Sequence, residues 1–177
     1  TTLLVLAIGA AAFSSLNERG LNHSRRQIQS LLDLSSDLER EEWPDEICAV
    51  LAVHVNQRLR FPRALVLASG GERTIGAVAD DAACTWFEAP PLPDDVSGVL
   101  GECRRTGAPM LVRALDPEAD ALVATMLPLA RNVVAVPLLA NGEPVGLLVA
   151  EWAGGRWRGL PTSPLATLVQ SASHAAM

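Results

Sequence analysis

The stretch Arg131-Asn132-Val133-Val134-Ala135-Val136-Pro137-Leu138-Leu139-Ala140-Asn141-Gly142-Glu143-Pro144-Val145-Gly146-Leu147-Leu148-Val149 reads as two strands and the turn between them. Val133 to Leu139 is a run of apolar strand formers, and Asn141-Gly142 is the favoured two-residue hairpin turn. Val145 to Trp152 then supplies the returning strand. A hairpin implies antiparallel pairing. Pro137 has no N–H to give to a ladder, so it predicts an edge or a bulge in its strand.

Downstream, Gly154-Gly155 breaks the second strand. A helix is predicted from Thr162 or Ser163, with Pro164 near its start and Leu165, Leu168, Val169 and Ala172 on one face, running on past Met177. Upstream, Asp116-Pro117 opens a helix with a cap and a first-turn proline, and Pro128 closes it. Met110–Val112 is a short strand. Asp94 or Asp95 caps a helix whose Val96, Val99, Leu100 and Cys103 share a face and which Gly107 and Pro109 stop. The segment Asp80–Pro93, which holds Cys84, Trp86 and Phe87 and ends in APPLP, reads as a loop. Strands are predicted at Ala64–Ala68 and Thr74–Ala79, joined by a Ser69-Gly70-Gly71 turn. A helix starting at Pro44 carries Ile47, Val50, Leu51, His54 and Val55 on its apolar face as far as about Leu59.

From Asn17 to Glu42 the pattern is again helical. Leu21, Ser24, Ile28, Leu31, Ser35 and Leu38 fall on alternating spacings of three and four, the seam of a parallel homodimer helix. Leu32 and Leu34 lie off that seam and could dock on the domain that follows. Thr1 to Leu16 carries no charge and is followed by Arg19, Arg25 and Arg26. It reads either as the end of a membrane-spanning helix or as an ordinary buried one, since a span needs about 20 residues. The first reading puts the remainder on the cytoplasmic side of the membrane, tethered to its inner face. The resulting division is 1–16, a membrane-helix end; 17–42, a connecting and dimerising helix; and 43–177, one α+β domain with a central antiparallel sheet flanked by helices.

Composition narrows the function. Hydrophobic residues make up 49 %, enough for a proper core, and the net charge is −6 with every basic residue an Arg. An acidic chain with no Lys is a poor nucleic-acid binder. Cys48, Cys84 and Cys103 are widely and irregularly spaced, with no CxxC pair, so neither a zinc site nor a disulfide framework is signalled.

The hairpin resembles the C-terminal hairpin of GAF domains, in which a strand ends in Pro-Leu and its partner is entered through a Val-Gly step. Gly98–Val112, GVLGECRRTGAPMLV, is similar to the GAF segment in which a helix ends at Thr-Gly before a strand. The resemblance spans about Ser30 to Ala176. It implies a GAF-like fold acting as a non-catalytic receiver. Such a receiver is dimeric and passes a small-molecule or conformational signal along its terminal helices to a C-terminal output domain of the sensor kinase or diguanylate cyclase type. It also implies a ligand pocket between sheet and helices. Two other readings stay open under it: a ligand-free dimerisation spacer, and a thiol-based free methionine sulfoxide reductase.

The residues themselves carry no catalytic pattern. His23, His54 and His174 have no carboxylate or nucleophile at useful spacing, and His54 amid Val and Leu reads as a core residue. Adjacent acids such as Asp80-Asp81 point apart and are explained by turns and caps. No P-loop, metal-ligand spacing or cofactor signature is present. For a pocket, Trp86, Phe87, Met110, Met126 and Trp152 are the candidate apolar walls, and Arg113, Arg131 and Glu151 the candidate polar ends. Core packing and solvated rim are the competing explanations for the same residues.

Overall fold

Asn141 and Gly142 take φ values of +53° and +85°, the left-handed pair that a tight hairpin turn requires. The structure, a computed structural model, describes residue 29, residues 32–34, residue 36, and residues 44–69, 72–91, 97–152 and 162–175. Its elements are α1 (Pro44–Val53), β1 (Arg63–Ser69), β2 (Thr74–Asp80), β3 (Cys84–Ala89), α2 (Gly98–Thr106), β4 (Met110–Ala114), α3 (Ala121–Met126), β5 (Arg131–Ala140), β6 (Glu143–Glu151) and α4 (Thr162–Ala175). The six strands form one sheet in the order β3-β2-β1-β6-β5-β4, antiparallel throughout. This is the α+β architecture, a central antiparallel sheet flanked by helices, that the sequence predicts.

The central strands read as unbroken apolar runs because both faces of the sheet are covered. On one face Ala64, Val66, Ala77, Ala79, Val134, Val136, Leu148 and Ala150 join Cys48, Leu51, Ala52 and Val55 of α1 and Leu168 and Ala172 of α4. On the other, Leu65, Leu67, Val133, Ala135, Leu147 and Val149 meet Val99, Leu100 and Cys103 of α2 and Val123 and Leu127 at α3. Odd and even positions thus part cleanly, as a period of two demands. Pro137 is accommodated as expected. Pairing with β4 stops at Ala135, and the register with β6 shifts between Leu138 and Leu139.

Several local expectations are corrected. Segment 84–89 is a strand, not a loop, paired with β2 from Ala79↔Cys84 to Thr74↔Ala89. Asp80 makes the connection: its carboxylate accepts from the N–H groups of Ala82 and Ala83, both at 2.9 Å, and Asp80 N donates to Ala83 O. The helix from Pro44 leaves α geometry at His54 and ends as a π-helical turn, His54–Arg58, closed by Leu59 N donating five residues back to His54 O. The buried face is Cys48, Leu51, Ala52, His54 and Val55, with Ile47 and Val50 only half-buried. Asp116 opens a turn through Glu118 N and Ala119 N, and the helix proper starts only at Ala121.

The chain divides into two units, Thr1–Asp33 and Leu34–Met177. In the first, Gln29 Nε2 donates to Asp33 Oδ1 at 3.0 Å, and Leu32 is exposed. In the second, Leu34 is fully buried in the same core as α1 and α4. The seam positions Leu21, Ser24, Ile28, Leu31, Ser35 and Leu38, and the whole of segment 1–16, lie outside the described residues. Among the described residues no helix is long and apolar enough to cross a membrane.

Candidate functional site

The eight residues singled out for a pocket are divided by the pleat. Phe87, Met110 and Met126 pack on the α2–α3 face, where the Phe87 ring covers Gly76. Arg131 and Glu151 share that parity, standing in register with Ala114 and Val133. Trp86 stands opposite Ala77 and therefore on the α1–α4 face, 59 % exposed. Arg113 follows Leu111 by two along β4, on that same face, and is exposed. Trp152 packs there against Phe61, ring centroids 5.7 Å apart. Its indole Nε1 is buried without a hydrogen-bond partner among the described residues.

Glu151 is a structural clasp. Arg63 Nε donates to its Oε2 at 2.7 Å, Arg131 N donates to Oε1 at 3.2 Å, and Arg63 Nη1 reaches Pro128 O at 3.0 Å. Burial pushes the Glu151 carboxyl up, but the bonds from Arg63 and Arg131 outweigh it and hold the group below the usual carboxylate range. The Arg63–Glu151 pair thereby ties together β1, β6, the start of β5 and the end of the α3 connection.

A second clasp escaped the sequence. Asp120, 3 % exposed, accepts from Val99 N at 2.6 Å with Oδ1 and from Asp116 N at 3.0 Å with Oδ2. It caps α2 from 21 residues away, a task assigned above to Asp94 or Asp95, which lie outside the described residues. Ser97, at the N-cap position, makes no side-chain cap bond. Gly98 makes room for the arrangement: its φ is +77°, and a Cβ there would come within 2.1 Å of Asp120 Oδ1.

The family resemblance implies a pocket between sheet and helices, and α2 and α3 cover one face of the sheet. The cleft there, lined by Leu67, Ser69, Leu100, Arg104, Pro144, Gly146 and Leu147, encloses about 10 Å³, room for roughly one water. None of the eight candidates lines it. A larger groove, about 320 Å³ and open to solvent, lies on the opposite side between α1 with its π turn and β3. Among the described residues no group of three or more His, Cys, Asp and Glu could hold a metal ion.

The thiols are not activated. Burial, and then the charge of Asp45, pushes Cys48 up to about 12. Burial pushes Cys103 up to about 11, and partial burial raises Cys84. Cys103 Sγ donates to the carbonyls of Ala108 and Ala135 at 3.6 and 3.7 Å and fills an apolar helix face, while Cys84 is exposed.

The model of the GAF domain family matches residues 44–177. The chain belongs to the GAF domain family. No curated protein matches it in sequence. Among solved structures the GAF domain is similar to residues 122 to 287 of a methyl-accepting chemotaxis protein, at 19 % identity and a TM-score of 0.59 over 81 % of this chain and 92 % of that one. It is similar to the GAF domain of a Coxiella burnetii phosphoenolpyruvate-protein phosphotransferase, at 12 % identity and 0.61 over 86 % and 91 %. A Neisseria meningitidis free methionine-R-sulfoxide reductase, solved with its substrate, shares 19 % identity at 0.59 over 85 % and 86 %. Likeness at these identities is likeness of fold.

Proposed function

We propose that this GAF domain is a regulatory sensory module that passes a signal between the helix that enters it and the helix that leaves it. The observation that carries the reading is a shared core: Leu34, α1 and, from α4, Leu168 and Ala172 pack as one cluster on one sheet face. A displacement of the entering helix therefore bears directly on the leaving one, and ~1–3 kcal/mol of coupling is enough to bias an output. In the full reading the protein is a homodimer held by the 17–42 helix. It lies on the cytoplasmic side, tethered by residues 1–16, and drives a C-terminal kinase or diguanylate cyclase.

The test is hydrogen exchange on the full chain. Leu34→Ala leaves a cavity in that cluster and is expected to raise exchange in Thr162–Ala175 as well as around residue 34, with α2 and α3 unchanged. Loosening confined to residues near 34 would defeat the reading.

The fold of the methionine sulfoxide reductases favours one rival, a thiol enzyme. The raised thiols speak against it, because the thiolate is the nucleophile. Methionine formation from free methionine-R-sulfoxide and a thiol reductant, lost in Cys84→Ser, would replace the regulatory reading with the enzymatic one.

A further inference from the structure

We propose that the open groove between α1 and β3 is a ligand site for a small monocarboxylate with an alkyl body, on the sheet face opposite the α2–α3 cleft. Its volume, about 320 Å³, falls within the range of small-molecule sites, roughly 300–1,000 Å³. Ala49, Val50 and Val53 of α1 form an aliphatic wall, half-buried and packed against the core from outside. Gln57 and Arg58 form the polar end, with Cys84 of β3 across the groove and His54 at its base. The π-helical turn His54–Arg58 supplies three of these lining residues, and such turns recur at functional sites because they interrupt the regular helix ladder.

Charge selects the ligand class. The groove is lined by no carboxylate, and Arg58 has neither an ion pair nor a hydrogen bond among the described residues. A guanidinium fork matches a carboxylate in two parallel bonds. One arginine lining the groove, in a chain of net charge −6, suits one negative charge rather than the two of a phosphate monoester. The aliphatic wall beside it gives an alkyl body somewhere dry to lie. Because α1 belongs to the core that also holds Leu34 and α4, occupancy would act on the transmitting elements; that consequence rests on the function proposed above, while binding does not.

Cys84 makes the site directly readable, since it is exposed in the groove while Cys48 and Cys103 are buried. On the full chain, alkylation of Cys84 by N-ethylmaleimide is followed by mass spectrometry with octanoate, octanol or octylammonium present. Octanoate is expected to slow Cys84 alkylation in proportion to occupancy, with octanol and octylammonium far less effective. Arg58→Gln should weaken the octanoate effect about tenfold, and Arg58→Glu should transfer protection to octylammonium. Cys48 and Cys103 stay unreactive throughout, reporting an intact fold. Equal protection by octanol, undiminished protection in Arg58→Gln, or no protection by any probe overturns the proposal. Failure of the Leu34→Ala exchange experiment would instead count against transmission and leave this site standing.

Discussion

A methyl group added at Gly146 would sit 2.2 Å from the Leu67 carbonyl oxygen and 2.9 Å from Leu138 Cδ1. The first obstacle is backbone of a central strand, so relief requires β1 and β6 to part. Gly146→Ala is therefore expected to destabilise the domain at or above the upper end of the ~1–3 kcal/mol usual for overpacking, read as a lowered urea midpoint. An unchanged midpoint would mean that the β1–β6 spacing is soft. Asp120 makes a second residue-scale case. Asp120→Asn keeps the shape but has one acceptor oxygen for the two N–H groups of Val99 and Asp116. One N–H is left unpaired, and the expected loss is about 1–3 kcal/mol. A neutral substitution would show that water serves as well. Gly146 was legible in the sequence as the Val-Gly step of a hairpin. Asp120 was not, because a cap delivered from 21 residues away leaves no local pattern.

At the scale of elements, legibility followed how local the cause is. The β5–β6 hairpin declared itself because its turn chemistry and its apolar runs are contiguous. Strand β3 did not. Its six residues sit on the outer edge of the sheet and are mostly exposed, so the apolar signature of a buried strand is missing. The turn that makes it a strand rests on Asp80, whose exposed carboxyl is held below its ordinary range by the backbone N–H groups of Ala83 and Ala82. In sequence it is merely one of two adjacent acids. The joint between β1, β5 and β6 shows what a long-range contact adds. The bonds from Arg63 and Arg131 N favour the ionised Glu151, so its folded-state pKa lies below the unfolded value of about 4.3. The unfolded chain then binds more protons in that range, and the stabilisation present above it is lost as pH falls through the folded value. Glu151→Gln should be less stable than the parent at pH 7, and the gap should be narrower at pH 3. Urea midpoints of both proteins at the two pH values measure this; a gap just as wide in acid would mean Arg63 does not distinguish the charged from the neutral carboxyl.

For the whole molecule, the decisive fact is that the two sheet faces have different tenants. Among the described residues, the α2–α3 face has a cleft of about 10 Å³. The other face carries α1, α4 and Leu34 in one core. The sequence named eight pocket residues without knowing their parity, and parity alone sends Trp86, Arg113 and Trp152 to one side and Phe87, Met110, Arg131 and Glu151 to the other. A module whose entering and leaving helices share a core gains most if two copies present those helices to each other, since relative motion between copies then becomes the signal. On the function proposed above, the seam Leu21, Ser24, Ile28, Leu31, Ser35 and Leu38 would be the sequence's means of doing so. Leu34 in the domain core and Leu31 of the proposed seam are three residues apart in sequence, so one stretch of helix would serve both contacts. Leu31→Asp puts a carboxylate into each half of the seam, where two like charges meet in an apolar setting. The full chain should run as a dimer by light scattering and the variant as a monomer at the same concentration, with circular dichroism of both recorded to check that the fold is kept. A parent that is already monomeric, or a variant that dimerises as well as the parent, removes the seam and leaves transmission to run within one chain, from Leu34 through α1 to α4.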